Sequence, residues 1–98
     1  MIRSTQQGEG KSSMIFISLN KFRHMASKED IENTNKAFAS DPKVKILGFY
    51  WALGRYDSVL ITDAPDAKSI MKIAMKVGNF ASTETMIAIP REEAVKLL

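Results

Sequence analysis

The chain has 98 residues, 45% hydrophobic and 26% charged, a composition typical of one small globular domain. The net charge of +3 comes from lysines spread over several elements, so the sequence predicts no nucleic-acid partner. The absence of cysteine excludes disulfides, thiolate metal sites and a cysteine nucleophile. No segment is apolar long enough to span a bilayer, and no signal-peptide core is present, so we expect a cytoplasmic protein without a membrane partner.

The N-terminal part of the chain divides into a polar leader and the start of a domain. Residues 1–13 contain glycine and show no hydrophobic periodicity, which predicts a disordered leader ahead of a single domain over residues 14–98. Apolar alternation predicts the first strand over residues 14–20. A loop over residues 21–26 then holds His24, the only histidine.

The first helix has clear start and stop signals. Ser27 and Asp30 have the spacing of a capping box, with aspartate in place of glutamate. The helix is predicted to run to about residue 40, because the residue before Pro42 disfavours the helical conformation.

The remaining elements follow in order. Two strands over residues 44–53 and 57–62 form a hairpin, in which Gly54 supplies an unusual backbone conformation. Asp66 is the predicted N-cap of a second helix, and Gly78 its left-handed C-terminal residue. The predicted bounds of the last three elements are 67–77 for this helix, 80–89 for a fourth strand and 91–98 for a closing helix.

This order, β-α-β-β-α-β with a terminal helix, predicts an α+β ferredoxin-like sandwich with both helices on one face of a four-stranded antiparallel sheet. We expect the helices to cover the face that carries Ile15, Ile17, Leu19, Val44, Ile46, Val59, Ile61, Ile87 and Ile89. The other predicted face carries Met14, Phe16, Ser18, Leu47, Phe49, Trp51, Ser58, Leu60, Thr62, Glu84, Met86 and Ala88. Such an apolar surface predicts self-association through paired sheets, as a homodimer or higher homo-oligomer, unless the closing helix folds back over it.

One motif carries a family resemblance. Gly54-Arg55-Tyr56-Asp57 lies between a strand ending Gly48-Phe49-Tyr50-Trp51 and a strand followed by Asp63-Ala64-Pro65-Asp66. With this context, residues 14–96 resemble the GYD domain family, named for its glycine–tyrosine–aspartate motif. The resemblance implies a ferredoxin-like fold that pairs as a dimeric α+β barrel, and it implies no particular reaction. Trp51 departs from the family pattern, in which smaller residues are common.

The candidate ligand site lies in the barrel or at its mouth. Its candidate residues are Phe16, Phe49 and Trp51 as walls, Glu84, Ser18 and Arg55 as polar anchors, and Tyr56, Asp57 and His24 nearby. For Tyr56 and Asp57 we favour a structural corner, in which the Tyr56 hydroxyl finds a partner and Asp57 accepts hydrogen bonds from turn N–H groups.

Glu84 is expected to pair with a lysine or Arg55 near a dimer rim. His24 is expected to be a solvated loop residue, with a general base or a haem ligand as alternatives. A single histidine without cysteine predicts no metal site, and no cofactor is predicted.

Three functions fit these features. The first is a homo-oligomeric protein that binds a small molecule in or at the mouth of the barrel. The second is an enzyme of the cofactor-independent oxygenase or isomerase kind, a possibility that rests on fold analogy. The third is a purely structural interaction module.

Overall fold

The computed structural model describes residues 13–98, so the predicted leader, apart from Ser13, lies outside the described residues. The strands are β1 (Met14–Phe22), β2 (Lys45–Trp51), β3 (Ser58–Ala64) and β4 (Ala81–Ala88). The helices are α1 (Lys28–Ala39), α2 (Ala67–Lys76) and the short α3 (Arg91–Ala94), which continues as a 3-10 turn, Val95–Leu97.

The strands form one antiparallel sheet in the order β2-β3-β1-β4. With the helices placed between the strands in the chain, this is the predicted ferredoxin-like fold. Phe16 and Ala64 of the sheet share a buried cluster with Ala37 of α1 and with Ile70 and Ile73 of α2. Both long helices therefore cover the same face, as predicted.

Local hydrogen bonds fix where the two long helices begin. The Ser27 hydroxyl accepts from the Asp30 N–H (3.1 Å), and the Asp30 carboxylate accepts from the Ser27 N–H (3.0 Å), which confirms the capping box. At α2 the Asp66 carboxylate accepts from the Ser69 N–H (3.0 Å), as its N-cap role predicts. The prediction for Gly78 is wrong, because Gly54, at φ +113°, is the glycine with a positive φ among the described residues.

The predicted assignment of strand faces is inverted for β1 and β3. Phe16, Ser18 and Asn20 are buried beneath the helices, whereas the alternate residues Ile17 and Leu19 are only half-buried. In β3 the buried residues are Ser58, Leu60, Thr62 and Ala64. In these two strands the expectation that the β-branched aliphatic residues face the helices was therefore wrong, because small polar side chains occupy that face, and Asn20 bonds to Ser58 across the two strands.

A β-bulge explains the error in β2. Ile46 pairs with Thr62 but Gly48 pairs with Ile61, so Leu47 is an extra residue in the strand. The bulge moves Phe49 and Trp51 onto the helix side, where Phe49 contacts Phe38 of α1 at 6.1 Å between ring centroids. In β4 the prediction was correct, because Ile87 lies opposite Phe16 and lines a groove with Ile70.

The second sheet face, called the open face below, is apolar at its centre and carries polar residues toward the strand ends. Its residues are Ile15, Ile17, Leu19, Lys21, Lys45, Gly48, Tyr50, Val59, Ile61, Asp63, Ser82, Glu84, Met86 and Ala88. The closing helix does not cover it, since Val95 and Leu97 are themselves exposed and α3 packs mainly against the 3-10 turn within residues 13–98. No helix in this part of the chain is long and apolar enough to cross a membrane.

Candidate functional site

The main concavity lies between the helices and the sheet and is called the interlayer cavity below. Its volume is about 60 Å³, space for about two water molecules. It is lined by sixteen residues of the sheet, of α1 and α2 and of the segments that follow the strands and helices. These residues are Ser18, Asn20, Phe22, Thr34, Phe38, Phe49, Ser58, Leu60, Ile70, Ile73, Ala74, Val77, Phe80, Ala81, Thr83 and Thr85.

Two grooves share lining residues with this cavity. On the α1 side, a groove of about 250 Å³ lies between Ile31 and Asn35 of the helix and Phe49 and Trp51 of strand β2. On the α2 side, a groove of about 370 Å³ lies between α2 and the edge strand β4. The interlayer cavity thus reaches the surface at both edges of the sheet.

A row of polar side chains crosses the floor of the cavity from β4 to β3. The Thr83 hydroxyl donates to Asn20 Oδ1 (2.9 Å), and Asn20 Nδ2 donates to Ser58 Oγ (2.8 Å). Next to them, the hydroxyl oxygens of Ser18 and Thr85 lie 2.9 Å apart. Buried polar groups of this kind are tolerated because they satisfy one another, and they leave an uncharged floor.

Aromatic rings form the walls on the α1 side. Phe22 stacks on Phe80 at 4.6 Å between centroids and meets Trp51 edge to face at 5.4 Å. His24 lies on the other side of Phe80, at 5.5 Å. Trp51 is 62% exposed although it is on the helix side of the sheet, because β2 is an edge strand. It therefore stands at the mouth of the α1-side groove.

The only histidine is bound to the capping box of α1. His24 Nε2 lies 3.1 Å from Asp30 Oδ2, and the same carboxylate accepts from the Ser27 N–H and hydroxyl. These bonds, led by the backbone N–H of Ser27, hold the pKa of Asp30 below its usual value of 3.8. The imidazole is about half exposed, so His24 is an accessible base beside the aromatic wall.

Within the GYD motif, Asp57 pins the end of β1. Its carboxylate accepts from the Phe22 N–H (2.7 Å), and its own N–H donates to the Asn20 carbonyl (2.8 Å). Strand β3 begins only at Ser58, so the Asp57 side chain supplies the acceptor that another strand residue would have provided. Asp57 therefore accepts a hydrogen bond, as predicted, but the donor is an N–H of a strand and not an N–H of the turn.

Tyr56 and Glu84 do not line the cavity. The Tyr56 hydroxyl donates to Glu84 Oε1 (3.1 Å), and Glu84 lies opposite Leu19 on the open face. Within one chain Glu84 thus bonds to the Tyr56 hydroxyl, which has the partner predicted for it, and the pairing of Glu84 with a lysine or Arg55 near a dimer rim stays a prediction. Arg55 is exposed in the hairpin turn.

The structure therefore divides the candidate residues between two sides of the sheet. Phe49 lines the interlayer cavity, Trp51 its α1-side groove, and Phe16 its α2-side groove. Sequence reasoning missed Asn20, Phe22, Phe80, Thr83 and Thr85 as lining residues. The sequence feature that could have revealed this polar lining is the placement of small polar residues at alternate positions in two otherwise apolar strands. Among residues 13–98, no three metal-ligating side chains come together.

Comparison with known proteins agrees with this fold. The family model described as the GYD domain matches residues 19–98. No curated protein shows significant sequence similarity to the chain.

Among solved structures, the leucine response regulatory protein LrpA of Mycobacterium tuberculosis superimposes with a TM-score of 0.52 at 10% identity, over 78% of this chain and 50% of the regulator. An AsnC family transcriptional regulator from Agrobacterium tumefaciens gives 0.51 at 16% identity, over 81% of this chain and 51% of the regulator. A dimeric ferredoxin-like protein of unknown function from Thermobifida fusca gives 0.48 at 14% identity, with coverages of 78% and 89%. The chain spans about half the length of the two regulators, and these similarities establish the fold alone.

Proposed function

The chain belongs to the GYD domain family, and we propose that it is a homodimeric protein that binds a small molecule in the interlayer cavity. The observation that carries the proposal is the hydrogen-bonded polar row inside an otherwise apolar, aromatic cavity. Ligand sites are usually apolar concavities with a few convergent polar groups. Three of the five polar side chains in this row, Ser18, Asn20 and Ser58, are buried, and they serve packing poorly because apolar side chains would fill the same space without needing hydrogen bonds.

The dimensions favour a ligand that extends from the cavity into one groove. At about 60 Å³ the inner cavity is smaller than typical ligand pockets of about 300–1,000 Å³. The α1-side groove adds about 250 Å³ and contains Trp51 at its mouth. This places the proposed site between sheet and helices, and not between paired sheets as the sequence suggested.

A thermal-shift screen with small neutral metabolites tests this site. A ligand present at about one hundred times its Kd stabilises the folded state by about 2.7 kcal/mol, which raises Tm by several degrees in a domain of this size. Ala74 lines both the cavity and the α2-side groove, so we expect Ala74→Phe to abolish the shift. Ala39→Phe, at an exposed helical alanine, is the matched control and should retain it. A shift that survives in Ala74→Phe would exclude the interlayer cavity as the site.

The open face supports the dimeric part of the proposal. Ile17 lies opposite Ile61 at its centre, and Met86 pairs with Ile17 from the other side. Exposed apolar surfaces of this kind usually mark interfaces, and a second copy is the simplest cover.

Light scattering after size exclusion tests the dimer. We expect twice the chain mass for the wild type and a monomer for Ile17→Lys, because a lysine at the centre of the interface would have to be buried without a partner. Met75→Lys, on an exposed part of α2, should remain dimeric. A wild-type monomer at micromolar concentration would contradict this part of the proposal.

A second function is favoured by one observation, the contact of His24 with Phe80 and Asp30. A histidine oriented by a carboxylate beside a ligand cavity can remove a proton from the ligand. Proton removal begins both isomerisation and cofactor-independent oxygenation, which are the enzymatic alternatives for this fold.

Hydrogen exchange into 2-tetralone, followed by NMR, tests this alternative. The carbon-bound hydrogens next to its carbonyl are acidic, and a protein base would accelerate their exchange with deuterated water. We expect His24→Gln to lose the acceleration while it retains binding. Equal exchange in wild type and variant, with 2-tetralone bound to both, would exclude His24 as the base. A cytoplasmic location remains a prediction.

A further inference from the structure

The chemistry of the cavity lining restricts the ligand's charge. None of the sixteen lining residues is ionisable. The nearby Asp57 carboxylate is already bonded to the Phe22 N–H, and the Asp30 carboxylate to Ser27 and His24. A charged ligand would lose its hydration without gaining a counter-charge, at a cost of several kcal/mol. The lining therefore selects an uncharged ligand.

The walls restrict the ligand's shape. Four phenylalanine rings line the cavity, and Phe22, Phe49 and Phe80 also line the α1-side groove. Aromatic faces and edges pack best against other flat rings, with gains of about 0.5–1.5 kcal/mol per pair beyond the buried area. A planar ring system fits such walls better than a flexible chain.

The floor restricts the ligand's polar groups, because some of its protons are not used within the row. Ser58 Oγ accepts from Asn20, so its own hydroxyl proton has no acceptor among the described residues. Asn20 Nδ2 carries two hydrogens and uses one of them on Ser58. Between Ser18 and Thr85, only one hydroxyl can donate to the other, which leaves one further proton. The floor therefore has spare donors that a ligand oxygen can accept.

Resting on the ligand-binding function proposed above, we infer that the interlayer cavity takes an uncharged compound with an aromatic ring that presents a carbonyl oxygen to Ser58 and Asn20. The ring lies among the phenylalanines, and the carbonyl accepts the spare protons of the floor. A carbonyl oxygen brings two lone pairs and no proton.

Three probe compounds that share the same fused benzene ring test the inference. They are 2-tetralone, its hydrocarbon analogue tetralin, and the anion 1,2,3,4-tetrahydronaphthalene-2-carboxylate. Trp51 is the only tryptophan and lines the α1-side groove, so its fluorescence reports binding. We expect the ketone to bind at least as tightly as the more hydrophobic tetralin, and the anion to bind about tenfold or more weakly, as for an unpaired charge.

The Ser58→Ala variant identifies the donor. Loss of one net hydrogen bond should weaken 2-tetralone binding about 3- to 10-fold and leave tetralin binding unchanged. Ser82→Ala, at an exposed serine of β4, is the matched control and should change neither affinity. In the wild type, the infrared carbonyl band of bound 2-tetralone should lie below its frequency in an apolar solvent, a readout that needs no variant.

The outcomes separate this inference from the proposed function. Tighter binding of tetralin or of the anion, or an unshifted carbonyl band, would overturn the carbonyl inference while the cavity remained a ligand site. Failure of all three probes alongside an Ala74-sensitive hit of another class would overturn the inference alone. Failure of the probes and of the whole metabolite screen would remove the proposed function as well.

Discussion

Replacement of Asp57 by alanine decides whether the GYD motif is a structural corner or part of a binding site. In the wild type, the Asp57 carboxylate accepts from the Phe22 N–H at 2.7 Å. Alanine leaves that N–H without a protein acceptor at the end of β1. A hydrogen bond to a charged group contributes about 1.5–3 kcal/mol, and the site is only partly buried, so we expect a loss of about 1.5–2 kcal/mol.

The free energy of unfolding from urea denaturation measures this loss, and Tm should fall by about 6–15 °C in a domain of this size. Asp57→Asn keeps an acceptor oxygen but loses the charge, so it should lose about half as much. Arg55→Ala, next in the motif but exposed, should stay within about 0.5 kcal/mol of the wild type. If Asp57→Ala is as stable as Arg55→Ala and yet loses ligand binding, then the structural corner is the wrong explanation.

Two further predictions concern the hairpin and the capping box. Gly54→Ala should lower the free energy of unfolding by about 1 kcal/mol, because the backbone φ of +113° is unfavourable for alanine. An added Cβ meets no atom within 4 Å, so the loss comes from the backbone conformation and not from a steric clash. An unchanged urea midpoint would show that the turn relaxes freely. Asp30→Asn should destabilise the protein at pH 7. Because the pKa of Asp30 is lowered, mainly by the Ser27 N–H, its contribution is fully present above the unfolded value near 3.8 and is lost as the pH falls through the folded pKa. The difference in Tm between wild type and Asp30→Asn should therefore shrink below about pH 4. A difference that persists at pH 2 would contradict a contribution that depends on the Asp30 charge.

Local signals in the sequence predicted the elements and their limits well. The Ser27 and Asp30 pair, the Asp66 cap and Pro42 act within a few residues of their own positions, so their effects can be read without the fold. The order of the elements then leaves the ferredoxin-like arrangement as the main solution, and the GYD motif gives the family. The C-terminal end of β1 was set too early, because Phe22 belongs to the strand through the acceptor that Asp57 supplies from a distant segment.

The sequence alone thus determined the secondary structure, the fold class and the family, because these follow from capping, periodicity and element order. Only the tertiary structure decided which sheet face lies under the helices. Period-two alternation shows that two faces differ but not which is buried, and the bulge at Leu47 reverses the pattern within β2. The polar row through Asn20 and Ser58 is stable under the helices only because its members hydrogen-bond across three strands. That pairing between residues far apart in the chain moved the candidate site from the open face to the interlayer cavity.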